Sequence, residues 1–283
     1  MNWPTWRQAL VAAVISGLIA LALRRARPSR LGDVVMPAAL EFAFVASLYS
    51  VWRMAKNLPL TQADGAIERA RDIVRVQEFL HLPSELSVQQ FVMRYDWLAE
   101  FTTAYYAVVH VPAVIVFLVW LYASHRDIYP HWRNALAILT GFCLFIRFVK
   151  VAPPRFLTDL GYVDLSSIYG MSVYGEAGTG VSSQFAAMPS LHVAWAAVIG
   201  FGMLAATDRW WRWIGMAHLV ITMLVVAATG HHWWLDGIVA LGLLWVSLRL
   251  DTLGRRAAAA CRADGAPGAA SAVPAESLES EAV

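Results

Sequence analysis

The chain has 283 residues, 59% of them hydrophobic and only 15% charged, with a formal net charge of +2 and a mean hydropathy of +0.53. A soluble domain carries roughly a quarter charged residues, so this composition excludes one and indicates an integral membrane protein built as a single polytopic unit. The small net charge gives no argument for nucleic acid as a partner, and two cysteines, Cys143 and Cys261, imply no disulfide framework and no cysteine-based metal site.

Apolar runs follow one another at residues 6–23, 34–52, 101–122, 134–149, 191–206, 213–229 and 233–250. Each is near the roughly 20 helical residues that a hydrocarbon core demands. The expected fold is therefore all-α, a membrane bundle of six to seven transmembrane helices. Tryptophans mark many run ends, among them Trp6, Trp52, Trp97, Trp120, Trp132 and Trp210, as interfacial residues do. Arginines follow the first run instead of preceding it, which is unlike a cleavable signal. Residues 1–33 read as a first transmembrane helix with a basic cytoplasmic loop. Residues 34–253 read as the main membrane domain, with 53–100 an outer amphipathic segment in which Ile67, Ala70, Val74 and Phe79 share one face. Residues 254–283, rich in Ala, Gly, Pro, Ser and Glu, read as a disordered cytoplasmic tail. The basic segments "RRARPSR", "SHRDIYPHWR", "TDRWWRW" and "RLDTLGRR" all fall on one side if seven spans begin outside. That topology expects a multi-pass plasma-membrane protein whose loop 150–190 and His231 region share the non-cytoplasmic face.

Titratable groups are costly at membrane depth and mark function there by default. In "HHWWLD", His232 and Asp236 stand four apart, which stacks them on one helical face. A carboxylate so placed accepts one ring proton of His232 and leaves the other nitrogen basic. In "AAMPSLHVAW", Ser190 is a candidate helix cap and His192 lies in the first turn, where free N–H groups favour an anion. In "RFVKVAPPRF", Arg147, Lys150 and Arg155 supply cations beside a stiff Pro-Pro. Two histidines, an aspartate, a helix N-terminus and several cations suit phosphoryl transfer: one imidazole attacks phosphorus and another protonates the leaving oxygen. No cofactor is required. The competing reading is a metal-dependent membrane hydrolase or metal transporter ligated by His192, His232 and Asp236, against which Lys150 and Arg155 would repel a divalent cation. His231 is expected to turn about 100° from His232 on a shared helix. Tyr106 and His110 are cavity candidates, and Glu41, mid-span, is expected to bond a neighbouring helix. Asp159, Asp164 and Glu176 lie in a glycine-rich loop expected to act as a lid or to contact a headgroup.

"AAMPSLHVAW" followed some forty residues later by "TGHHWWLDG" resembles the type 2 phosphatidic acid phosphatase superfamily of membrane enzymes. "KVAPPRF" and "HHWWLD" are similar to motifs of its branch that includes inositol phosphorylceramide synthase. The resemblance covers about residues 100–250. It implies a lipid phosphatase or phosphotransferase in which His232 becomes a phosphohistidine, Asp236 orients it and His192 serves as acid, then base. Arg155, Lys150 and Ser190 would hold the phosphate. The partners implied are a lipid phosphate and the bilayer. The sequence departs from the superfamily pattern at Phe148, where a lysine is common, at Leu191, where glycine is common, and at Val225 and Val226, where Ser-Arg is common. Arg147, Lys150 or His231 is expected to replace the missing arginine in holding phosphate.

Overall fold

The computed structural model describes residues 4–26, 29–56, 64–169 and 184–264, which form helices with no strand among them. Two long helices open the chain, α1 (Trp6–Arg25) and α2 (Arg30–Lys56). Thr5 and Gln8 close a capping box on α1, and Arg24 and Arg25 occupy its last turn, where the helix dipole favours cations. The pair forms a hairpin because α1 buries only small residues, Ala9, Ala13 and Ala20, which lets the backbones approach. Two hydroxyls bond across it: Ser16 Oγ donates to the Ala39 carbonyl at 3.0 Å and Ser50 Oγ to that of Trp6 at 2.8 Å.

The segment expected to be amphipathic folds into α3 (Ala66–Phe79) and α4 (Glu85–Val92), which pack on the ends of later helices. The buried stripe of α3 is Ala66, Ala70, Ile73 and Gln77, while Phe79, expected on that face, is 80% exposed. The third apolar run is not one straight helix. It divides into α5 (Asp96–Val108) and α6 (His110–Ser124), bent by 53°. Pro112 accounts for the break, since it offers no N–H to the Val108 carbonyl and its ring crowds that oxygen.

After α7 (Tyr129–Ile146), two single 3-10 turns and the short α8 (Leu165–Ile168) lead toward α9 (Leu191–Ala206), α10 (Arg212–Ala228) and α11 (Trp234–Asp264). Helices α9 and α10 touch backbone to backbone. A Cβ on Gly200 would lie 3.1 Å from the Gly215 carbonyl oxygen, a contact that would press the two helices apart by a few tenths of an ångström. Helix α11 runs to Asp264, past the tail boundary expected at 254. Ala257 to Ala260 are strong helix formers, and Arg255 Nε donates to Asp251 one turn earlier at 2.6 Å. Among the described residues three helices, α1, α2 and α11, are long and apolar enough to cross a membrane, or four if α5 and α6 count as one bent span. Helices α9 and α10 are apolar but shorter. The core lies where α6, α7, α9, α10 and α11 meet. Glu41 of α2 accepts from Arg133 of α7 at 2.6 and 2.7 Å and from the Tyr129 hydroxyl at 3.0 Å, the interhelical bonding expected of it.

Candidate active site

Four chain ends converge at one end of the bundle: the exit of α7, the start of α9, the exit of α10 and the start of α11. Helix α10 stops at Ala228, and Gly230 turns the chain with φ +69°. A Cβ there would be strained by that φ and pressed 3.1 Å from Gln89 Nε2 and 3.2 Å from the Val163 carbonyl. The N–H groups of His231 and His232 both donate to the Val226 carbonyl, at 3.1 and 3.2 Å. Both histidines therefore sit in the turn before α11, not on a shared helix.

His232 is 5% exposed. Its Nδ1 lies 2.7 Å from the Ala187 carbonyl and 3.3 Å from Asp236 Oδ2. A carbonyl only accepts, so Nδ1 carries the proton and Nε2 presents its lone pair. Asp236 stands at this nitrogen as expected, and the Ala187 carbonyl adds a nearer acceptor that the sequence did not suggest. Asp236, fully buried in the first turn of α11, uses the same Oδ2 to accept from the Trp233 N–H at 2.9 Å. Its own carbonyl accepts from the Ser190 N–H at 3.3 Å, which ties the starts of α9 and α11 together.

Ser190 caps α9, its hydroxyl accepting from the Val193 N–H at 3.3 Å. His192, in the first turn above it, brings its ring centroid to 5.7 Å from that of His232. One imidazole comes from the first turn of α9 and the other from the turn before α11, and the two rings face each other. Ala187 reaches His232 because its segment is laced to the exit of α7: Val151 N–H donates to Phe185 and Ala187 N–H to Val151, at 2.9 and 3.2 Å. The same lacing fixes Lys150 and Arg155, both 6% exposed, and the Arg155 N–H donates to the Gly230 carbonyl at 3.0 Å. Arg155 also pairs with Asp164 at 3.4 Å. Arg147, at the C-cap of α7, is 9% exposed. Burial, and for Lys150 also the neighbouring Arg147 charge, lowers the pKa of both cations, the mark of positive charge collected in a poorly solvated place.

Tyr106 fills the floor. Its ring stacks on His231 at 4.2 Å and meets His192 at 4.4 Å, while His110 approaches His192 at 4.5 Å. His231 is 2% exposed, and burial followed by the Arg155 charge holds it well below the ordinary imidazole range. Its ring packs against Tyr106, beside the cationic cluster where it was expected to help hold phosphate. Val226, at the position of the missing arginine, is 3% exposed and apolar. Of the loop acids, Asp159 pairs with Arg71 at the surface at 2.9 Å, and Asp164 caps α8. Glu176 lies outside the described residues.

Sequence reasoning missed three buried polar residues of α3 and α4. Glu85 Oε1 accepts from the Trp234 N–H at 2.8 Å, and Gln77 Oε1 from the Leu235 N–H at 2.9 Å. Together they cap α11 from another part of the chain, and Gln77 Nε2 donates to Glu85 at 2.8 Å. Burial raises the Glu85 pKa, offset in part by the Trp234 bond. Gln89 Nε2 donates to the Val163 and Ala228 carbonyls, each at 3.0 Å, and its oxygen accepts from the Val163 N–H at 3.0 Å. A charged residue followed by glutamines at helical spacing was the only signal, and it reads equally as a solvated face.

Among the described residues no three His, Cys, Asp or Glu side chains are grouped to hold a metal ion. His232 Nδ1, the ring atom nearest Asp236, already bonds Ala187, so the His192, His232 and Asp236 set is not arranged as ligands. A family model described as the PAP2 superfamily matches residues 71–250. Neither the curated proteins nor the solved structures contain a match to the chain.

Proposed function

The chain belongs to the PAP2 superfamily, whose activity in general is phosphoester hydrolysis or phosphoryl transfer, and from that premise we propose that it cleaves a lipid phosphate ester through a phosphohistidine on His232. The observation that carries this reading is the hydrogen bond from His232 Nδ1 to the Ala187 carbonyl, with His192 facing the ring at 5.7 Å. It leaves Nε2 as a nucleophile with its lone pair directed away from the backbone.

The steps follow from that tautomer. A phosphate monoester sits among Arg155, Lys150 and the capped N-terminus of α9 at Ser190, whose N–H groups and dipole favour an anion. His232 Nε2 forms a bond to phosphorus as the bond to the ester oxygen breaks, and His192 gives that oxygen its proton. Water then loses a proton to His192 and attacks phosphorus. The P–N bond breaks, releasing inorganic phosphate and restoring both imidazoles. If a lipid or sugar hydroxyl takes the place of water, the same intermediate yields a phosphotransferase. The likeness of "KVAPPRF" and "HHWWLD" to the inositol phosphorylceramide synthase branch supports that second acceptor class.

Counting α1, α2, the bent α5–α6 pair, α7, α9, α10 and α11 as passes gives seven spans. With the basic connections inside, that topology puts the site on the non-cytoplasmic face of the plasma membrane. The test is release of phosphate from radiolabelled lipid phosphates by purified full-length protein in chelator. Turnover that persists in chelator, is blocked by vanadate and is absent in His232→Ala is expected. Turnover abolished by chelator and restored by a divalent ion would contradict the reading.

A further inference from the structure

A cavity of about 270 Å³ lies between α2, α6, α7 and α9; the phosphate-site residues do not line it, but three of its walls lead on to them along the chain. On α9 its lining residue Trp195 stands one turn beyond His192. On α6 its lining residue Val111 directly follows His110, whose ring meets His192 at 4.5 Å. On α7 its lining begins at Leu144, one turn before Arg147, and ends at Arg133. The fourth wall is α2, which lies outside the 71–250 family match.

The chemistry of the lining selects the occupant. Its polar side chains are turned to other partners: Thr140 accepts from the Trp195 indole N–H at 3.0 Å, Arg133 is held by Glu41, and the Tyr49 hydroxyl donates to the Pro4 carbonyl at 3.1 Å. The rest of the lining is almost wholly aliphatic and aromatic side chain, which suits a hydrocarbon better than a polar ligand. The rim is apolar and open, with Val51 57% and Ile115 49% exposed on the membrane-facing surface. A bilayer chain is as apolar as leucine, so entry is governed by fit and dispersion contact, not by exclusion of water. From Leu144 to Arg133 the α7 wall runs roughly 16 Å at about 1.5 Å per residue, and the Glu41–Arg133–Tyr129 cluster closes that end. At Gly141, one turn from Leu144 and so near the end of the wall closest to the site, a Cβ would meet nothing within 4 Å.

We propose that this cavity seats one hydrocarbon chain of the lipid phosphate whose headgroup occupies the His192–His232 site, that Gly141 keeps it open, and that the Glu41–Arg133 pair limits chain length. The assignment rests on the lipid phosphate reading above and adds to it where the tail goes. The test compares full-length wild type, Gly141→Ala and Gly141→Leu on a long-chain lipid phosphate and on a short-chain soluble phosphate ester. Gly141→Leu is expected to lower kcat/KM for the long chain by at least about tenfold, the scale of discrimination by a filled apolar pocket. Gly141→Ala should fall between, with the short-chain rate unchanged in both. An equal loss on both substrates, or none on the long chain, would overturn the proposal.

A second readout does not depend on turnover or on the variants folding. A lipid phosphate with a photoreactive group at its chain end should label wild-type peptides spanning 133–144 and Trp195. Labelling confined to other membrane-facing surfaces would overturn the tail site, even in an active enzyme. Labelling in the cavity by a protein that turns over no phosphate would leave the tail site standing and bring down the phosphoryl-transfer reading instead.

Discussion

The two ends of this chain are held by different physics. The α1–α2 hairpin shows large apolar side chains outward, Leu18 59% and Val34 60% exposed, and its polar link to α7 is Glu41, which pairs with Arg133 and accepts from Tyr129. The end that carries His232 is instead fastened by buried polar residues, Gln77, Glu85, Gln89, Ser190 and Asp236, each aimed at a named backbone group. Lipid satisfies an apolar face in many orientations, whereas a buried hydrogen bond is satisfied in one. The hairpin is therefore built to tolerate change and the site end to resist it.

That contrast is sharpest in substitutions at the site. His232→Ala should lower turnover by about 10⁴-fold or more, since the nucleophile has no replacement. His192→Ala should lower it by about 10² to 10⁴-fold, the scale of general acid–base catalysis. Both are read by phosphate release, with melting temperatures close to wild type. Glu85→Ala leaves the Trp234 N–H and Gln77 without their partner and should cost about 1–3 kcal/mol, seen as a lower melting temperature together with a reduced kcat. Glu85→Gln retains an acceptor and should recover most of the loss. If Glu85→Ala melted like the wild type, the cap on α11 would carry no weight.

Part of this was legible in advance. The four-residue spacing of His232 and Asp236, the cap at Ser190 and the cations of "RFVKVAPPRF" are side-chain patterns, and the structure brings them to one end of the bundle. The Ala187 acceptor was invisible because any residue offers a carbonyl, and this one lies 45 positions from His232. Gln77 and Glu85 were hidden for a related reason: a cap donated from 158 or 149 residues away leaves no local signature. The bend at Val109 was readable from Pro112 and was overlooked within a continuous apolar run. The expectation that His231 shares a helix with His232 fails because Gly230, in the left-handed region, turns the chain between α10 and α11.

Acid should expose a smaller difference at the site end. The folded state keeps His231 neutral well below its ordinary pKa, whereas the unfolded chain takes up a proton below about pH 6.5. Stability is thus held above that pH and lost as pH falls, by at most about 1.4 kcal/mol per pH unit for this one group. Denaturation between pH 7 and 5 should show a steeper decline for wild type than for His231→Gln, and parallel curves would contradict the assignment. The smallest effect belongs to the hairpin: Leu18→Ala, on an exposed face, should change stability by less than about 0.5 kcal/mol in a melt of the reconstituted protein. A loss as large as that of Glu85→Ala would erase the contrast between the two ends.

The identity of the phosphorylated ring nitrogen tests the central claim most directly. Protein quenched during turnover of a lipid phosphate and kept alkaline can be digested, and the adduct located by mass spectrometry and ³¹P NMR. A phosphoryl group on Nε2 of His232 is the result that the Ala187 bond to Nδ1 predicts. A phosphoryl group on Nδ1, on His192 or on no histidine at all would contradict it.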